Sequence, residues 1–383
     1  MSVFAQLQQS RLETLLFRDQ LRFGQTLARA EQLRFQAMVS IIPARGSGEP
    51  IESHGYRADH EYFYPASTVK LAAAAVAMDR LADPDCVALG VDESSPMIYE
   101  PCYPGEGIER EDPSNAVDGT ITIGHDCRHA LIISDNAAHN RLFEFVGHEP
   151  LNTRLREAGL TTAAINHRLS EPHPPAEQRR SPRIRISGRR GTLVIPGRDT
   201  TLPLTPCCSP GILVGREHMD GSDRVPRPMS FADRNRIGLT DLHHLMIGVA
   251  RPDAGARVRF PLTEARRAMI CESLRLTPRE SVNPRFGDGY ADDFVKPFLP
   301  GVRRAMGGAP FTLLNKLGWA YGFFTDTAYI EHGPSGRAIA LTATVFVCES
   351  GVVNNDEYQY DSVARPLFAD LAEIAVREFL PVA

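Results

Sequence analysis

No stretch of this 383-residue chain approaches the apolar length needed to cross a bilayer, so no membrane span is expected. The first 36 residues also lack the uninterrupted apolar core of a secretion signal. Charges recur throughout "RLETLLFRDQLRFGQTLARAEQLRF", and the expectation is a protein that stays inside or one whose signal was trimmed. A net charge of -5 supplies neither a basic field that would collect phosphates nor an acidic tail, and nucleic acid is not expected as a partner. Seven cysteines form no CxxC pair of the zinc-ribbon kind, so no structural metal is indicated. The adjacent Cys207 and Cys208 read as free thiols, because neighbouring residues reach disulfide geometry only with difficulty. Internal repeats and low-complexity tracts are also missing. What is present is an ordinary apolar fraction of 43%, enough to bury a real core.

The opening segment places Phe4, Leu7, Leu12, Leu15 and Leu16 at helical spacing and predicts an amphipathic helix that packs on a sheet. From Leu33 the period changes. "LRFQAMVSII" reads as a strand ending at Pro43, and "RGSGEPIESHGY" as a turn leading into a second strand. "PASTVKLAAAAVAMDRL" has small residues on all sides and no breaker, which predicts a helix buried all round. Two Pro-, Gly- and charge-rich excursions, near 83–119 and 171–236, flank a helical block over 122–159. The second holds "RIRISGRRGTLVIPGRD", a hairpin placed to line an active-site mouth. "GLTDLHHLMIGVARP" reads as a helix. The strand-like runs "FTLLNKLGWAYGFF", "DTAYIEHG" and "RAIALTATVFVC" then precede a closing helix, "SVARPLFADLAEIAVREFL". Strands from both ends of the chain with helices between them imply an α/β (α+β) fold whose one sheet is completed by both termini.

Three short strings carry chemistry. Ser67 and Lys70 stand three residues apart at the start of the buried helix, where a hydroxyl can meet an amine and free main-chain N–H groups can receive a developing oxyanion. Desolvation beside the apolar helix would lower the pKa of Lys70, and a serine hydroxyl needs such a base to become a nucleophile. Ser134-Asp135-Asn136 interrupts the helical block with residues that favour turns and caps. Lys316-Leu317-Gly318 lies on a late strand, where a glycine lets a substrate backbone approach closely. Each string also has a plainer reading: a chance pair, a helix-to-helix turn, and an edge-strand lysine.

Taken in order, the three strings resemble the motifs of serine β-lactamases and penicillin-binding proteins. "YFYPASTVKLAAAAVAMDRL" and "ISDNAAHNRLFEFVG" are most similar to the class A branch, in particular to β-lactamase-like serine hydrolases of unassigned substrate. The resemblance covers about Leu33 to Leu380, leaving the N-terminal helical segment over 1–32 and the two excursions outside it, and implies one two-lobed domain over 33–383. That domain would hold an antiparallel sheet of about five strands flanked by terminal helices, plus a helical lobe. It implies Ser67 as the acylated nucleophile, Lys70 as its base and Ser134 as the proton donor to the leaving group. Asn136 would bind the substrate amide and Lys316 its carboxylate, Gly318 would open the strand, and the oxyanion would lie between the N–H groups of Ser67 and Trp319. No metal or cofactor is implied, and the partner is a small-molecule or peptide substrate: a β-lactam, a D-alanyl peptide or a small ester. A penicillin-binding or sensor protein that does not turn over is the rival. The resemblance favours the periplasm if a signal was trimmed, whereas unpaired thiols favour the cytoplasm.

Two positions depart from the family pattern. Leu317 replaces the usual Thr or Ser, removing a hydroxyl and suggesting a less polar substrate. The loop "AAINHRLSEPHPPAEQRR" keeps Arg168 but has no clear Glu-x-x-Leu-Asn, leaving Glu171 as the nearest deacylating carboxylate. Elsewhere, His125, Cys127 and His129 invite a metal, but no third histidine or well-placed carboxylate is evident nearby. His243 and His244 cannot face one site together and are expected at the surface or an interface. "NNDEYQYD" is expected to be a capping turn before the last helix rather than a calcium loop.

Overall fold

The computed structural model describes residues 10–171, 173–174, 177–200, 206–286 and 289–380. Phe4 and Leu7 lie outside them. The amphipathic opening forms two helices, α1 (Arg11–Arg18) and α2 (Gln20–Ala28), broken at Asp19, whose side chain accepts from the Arg22 N–H and so caps the second. Leu12, Leu15, Leu16 and Phe23 are buried from them. Strands β1 (Gln36–Ile42) and β2 (Glu52–Tyr56) follow, as the change of period predicts.

The run after Pro65 begins as a 3-10 turn, Ala66–Thr68, and continues as α3 (Val69–Arg80), in which every residue from Val69 to Asp79 is buried. Its alanines allow α4 (Ile123–Ile132) and α5 (Asn136–Val146) to pack closely against it. Helix α6 (His148–Glu157) closes that lobe, and α7 (Leu239–Ala250) runs beneath the sheet. His243 of α7 is fully buried there, its ring between the Ser40 and Thr342 hydroxyls at 2.7 and 2.9 Å. The surface expectation for His243 is therefore corrected: each ring nitrogen has a hydroxyl partner, which makes burial affordable.

Helices α8 (Glu264–Arg275) and α9 (Leu299–Met306) lead into β3 (Phe311–Ala320), β4 (Phe323–His332) and β5 (Ala338–Phe346), and α10 (Arg365–Phe379) ends the fold. The sheet is antiparallel throughout, in the order β3-β4-β5-β1-β2, so strands from both ends of the chain complete it as expected. The β3–β4 boundary differs from the sequence reading, which ran the first strand through Phe324. Tyr321 and Gly322, with φ of 54° and 85°, make a two-residue turn of the kind that suits the strand twist. Instead of a capped start, α10 is preceded by a π-type turn over Tyr360–Ala364, and Asp361 pairs with Arg365 at 3.0 Å.

One face of the sheet packs on the helical lobe. The other packs on α1, α2, α9 and α10, where Phe368, Leu371 and Val376 are buried with Leu317, Phe324 and Leu341 of the strands. Each such large side chain contributes about 1.5–3 kcal/mol of burial. The excursions meet each other: Met97–Tyr99 pairs with Ile184–Gly188, which pairs with Gly191–Ile195, in a separate three-stranded sheet.

Candidate active site

Ser67 sits in the 3-10 turn at the head of α3, directly after Ala66, whose φ of 46° is unusual for a residue with a side chain. Such a backbone costs about 1–3 kcal/mol and persists only where its surroundings hold it. Gly318 is one of those surroundings. A Cβ there would lie 2.5 Å from the Pro65 carbonyl oxygen and 2.8 Å from the main-chain nitrogens of Ser67 and Thr68. Only glycine allows β3 to come this near, and it sets Trp319, the next residue, beside the turn that carries Ser67.

Lys70 is completely buried. Its ammonium donates to the Ser134 carbonyl oxygen, to Ser134 Oγ at 3.2 Å and to Asn136 Oδ1 at 2.7 Å. None of these bonds goes to Ser67, although the sequence spacing predicts that the two side chains meet. The reason is local: an ammonium has three protons, and the Ser134–Asn136 turn offers three acceptors at once. Ser134 has φ of 66°, and Asp135 caps α5 by accepting from the Ala138 N–H at 2.7 Å. Lys316, also buried, donates to Ser134 Oγ at 2.9 Å and to the Leu317 carbonyl oxygen at 2.8 Å. Three elements far apart in sequence therefore converge on one hydroxyl.

Burial lowers both amines. Lys70 is held well below the ordinary lysine value by desolvation, reinforced by Lys316 and opposed by Asp135. Desolvation brings Lys316 down to about 7, with Asp326 opposing and Lys296 adding to it. Sequence reasoning missed the group behind it. Asn315 donates to both oxygens of the buried Asp326, at 3.0 and 3.1 Å, and accepts from Lys296 Nζ at 2.8 Å.

Leu317 points the other way. Side chains alternate along a strand, and Leu317 is 1% exposed in the core under the terminal helices. It presents no apolar surface to the cleft, so the expectation of a less polar substrate drawn from it falls.

In front of Ser67 lies a cleft of about 950 Å³. Ser67, Asn136 and Trp319 line it with Tyr64, His167, Ser170, Glu171, Arg234 and Tyr321. Asn354, Asp356, Tyr358 and Tyr360 line it as well, so the "NNDEYQYD" segment is cleft wall. The predicted hairpin, Ile184–Ile195, does not line it. Its place is taken by residues between Asp220 and Arg234, because the hairpin is held away by its pairing with Met97–Tyr99.

The loop after α6 is firmly tied. Arg168 pairs with the partly buried Glu144 at 2.6 Å, and Asn140 clamps Leu169 by accepting from its N–H at 2.8 Å and donating to its carbonyl at 3.0 Å. It is Ser170, at φ of 57°, that meets the site: its Oγ accepts from Asn136 Nδ2 at 2.8 Å. Glu171 lines the cleft but turns to Asn140 Nδ2, at 3.4 Å, and His173, at 3.6 Å. The seven cysteines are all free thiols. A carboxylate near His125 and His129, absent from the sequence reading, is supplied by Asp112, while Cys127 is buried in the core.

Residues 52–192 match the model of the β-lactamase enzyme family. The fold is similar to that of a β-lactamase from Burkholderia ambifaria (TM-score 0.54, 16% identity, 94% of this chain and 99% of that one). It is also similar to a class A β-lactamase from Mycobacterium abscessus (TM-score 0.50, 17% identity, 93% and 98% of the two chains). No curated protein gives a significant sequence match. Among the described residues, no helix is long and apolar enough to cross a membrane.

Proposed function

We propose that this chain is a β-lactamase-like serine hydrolase, as the family-model match and the shared fold support, and that it hydrolyses an ester or amide through an acyl-enzyme on Ser67. The observation that carries the reading is the hydroxyl of Ser134, which accepts from Lys316 at 2.9 Å and from Lys70 at 3.2 Å. With two amines donating to its oxygen, its own proton is left to give, which suits delivery to a leaving group. Lys70, whose pKa burial lowers, takes the proton of Ser67 in its neutral form as the Ser67 Oγ attacks the carbonyl carbon. The N–H groups of Ser67 and Trp319 receive the oxyanion, and Gly318 keeps them close. Asn136 orients the substrate amide, while Lys316 attracts a carboxylate and supports Ser134. Water then releases the acyl group and restores Ser67.

The substrate is a β-lactam, a D-alanyl peptide or a small ester. A second reading, a long-lived acyl-enzyme acting as a penicillin-binding or sensor protein, is favoured by the side chain that meets Asn136. That side chain is the hydroxyl of Ser170, while Glu171 is engaged elsewhere. Intact mass after incubation with a penicillin and with a p-nitrophenyl ester tests both. A transient adduct absent in Ser67→Ala supports the hydrolase, and a permanent one the second reading. If neither compound modifies Ser67, the proposed substrate classes are wrong.

A further inference from the structure

A second cluster lies outside the cleft. His125 and His129 stand one turn apart on α4, and the first excursion brings Asp112 across to them. Asp112 Oδ2 is 3.4 Å from His125 Nε2 and 3.7 Å from His129 Nδ1, and the three ligand atoms lie within 4.8 Å of one another. Ligand atoms of a tetrahedral zinc site, each about 2.0–2.1 Å from the metal, are about 3.3 Å apart, so small side-chain movements would close the set.

The carboxylate is already oriented. Its Oδ1 accepts from the Ser114 N–H at 3.1 Å and the Ser114 hydroxyl at 2.6 Å, which turns Oδ2 toward the imidazoles. His129 Nδ1 is buried with no hydrogen-bond partner, although it faces that oxygen. Phe286 stacks on the His129 ring at 5.7 Å and fixes its plane. Two groups compete for these atoms. Ser114 Oγ lies 3.0 Å from His125 Nε2, and Arg141 Nη2 lies 3.3 Å from Asp112 Oδ2. Arg141 has its closer partner in the buried Asp126, at 2.6 Å, and also reaches Glu109, so its charge stays paired without Asp112. The Asp112 and His129 side chains keep 15% and 13% exposure, enough for a path to solvent.

We propose that Asp112, His125 and His129 bind one divalent transition ion of the zinc class, with water as the fourth ligand. Imidazole and carboxylate are the donors such an ion takes. The site does not depend on the hydrolase reading. It does adjoin that machinery, because the His129 carbonyl accepts from the N–H of Asp135, the neighbour of Ser134. A bound ion would tie the end of α4 to the excursion.

Titration of the full chain with Co²⁺ tests this. One equivalent should give the visible bands of a tetrahedral site without the near-ultraviolet thiolate band that the free cysteines would produce. Asp112→Asn and His129→Gln, each checked for folding by circular dichroism, should weaken binding at least about tenfold. On the unsubstituted chain, Zn²⁺ should shift the ring-nitrogen NMR signals of two of the 12 histidines, a readout that holds even if a variant fails to fold. Bands of thiolate character, binding unchanged in both folded variants, or no histidine shift at saturating Zn²⁺ would each overturn the proposal.

Discussion

The two walls of the cleft are built differently. One consists of the head of α3, the Ser134–Asn136 turn and β3, where Lys70 and Lys316 are fully buried and hydrogen-bonded to a single serine. The other consists of the loop around Ser170 and Glu171, with residues near Arg234 and Tyr358. The first wall places donors and acceptors on regular elements, where packing fixes them. The second holds its backbone by long-range clamps, Arg168 to Glu144 and Asn140 to Leu169, and leaves its side chains facing the cleft. The difference bears on the two proposed half-reactions: the amines and hydroxyl proposed for acylation are joined by hydrogen bonds, whereas among the described residues no carboxylate joins the hydrogen bonds of Lys70 or Asn136.

Substitutions on the first wall should therefore be costly and those on the second mild. Ser67→Ala is expected to lower ester hydrolysis at least about 10⁴-fold, measured by initial rates, since the proposed nucleophile is lost outright. Gly318→Ala forces a methyl to within 2.8 Å of the Ser67 nitrogen. The acylation rate in stopped flow should fall about 10²-fold, as expected for an ångström-scale displacement of a catalytic group.

The pH dependence divides the two amines. As the proposed base, Lys70 would act only when neutral, so acylation should rise with pH through its depressed value. In its proposed role Lys316 would support Ser134 when charged, so the rate should fall again as pH passes about 7. In Lys316→Gln the alkaline limb should vanish from the kcat/KM profile; a limb that persists contradicts this assignment. Smallest of all, Glu171→Gln should change single-turnover deacylation less than about threefold, whereas loss of a true general base removes about 10²–10⁴-fold. A large loss would place the missing base on the second wall.

Sequence showed the first wall well because its signals are local. The buried helix, the Ser-Asp-Asn interruption and the strand lysine each lie within a few residues, and the motifs set their order. What it did not show depends on distant partners. Lys70 turned to the Ser134–Asn136 turn rather than to Ser67 because acceptors arrive from another helix. Asp112 meets His125 and His129 through an irregular excursion with no period to read. The inward course of Leu317 required knowing which face of β3 the terminal helices cover. The 184–195 hairpin was visible as a hairpin, but its partner, Met97–Tyr99, was not, and that pairing keeps it from the cleft mouth.

The contrast between the walls is tested most directly by rapid mixing with a chromogenic ester or penicillin. Product should appear in a burst equal to the enzyme concentration and then slow to a steady rate, with the acyl group on Ser67 in the quenched protein. Turnover that is linear from the first instant, without an adduct on Ser67, would contradict it.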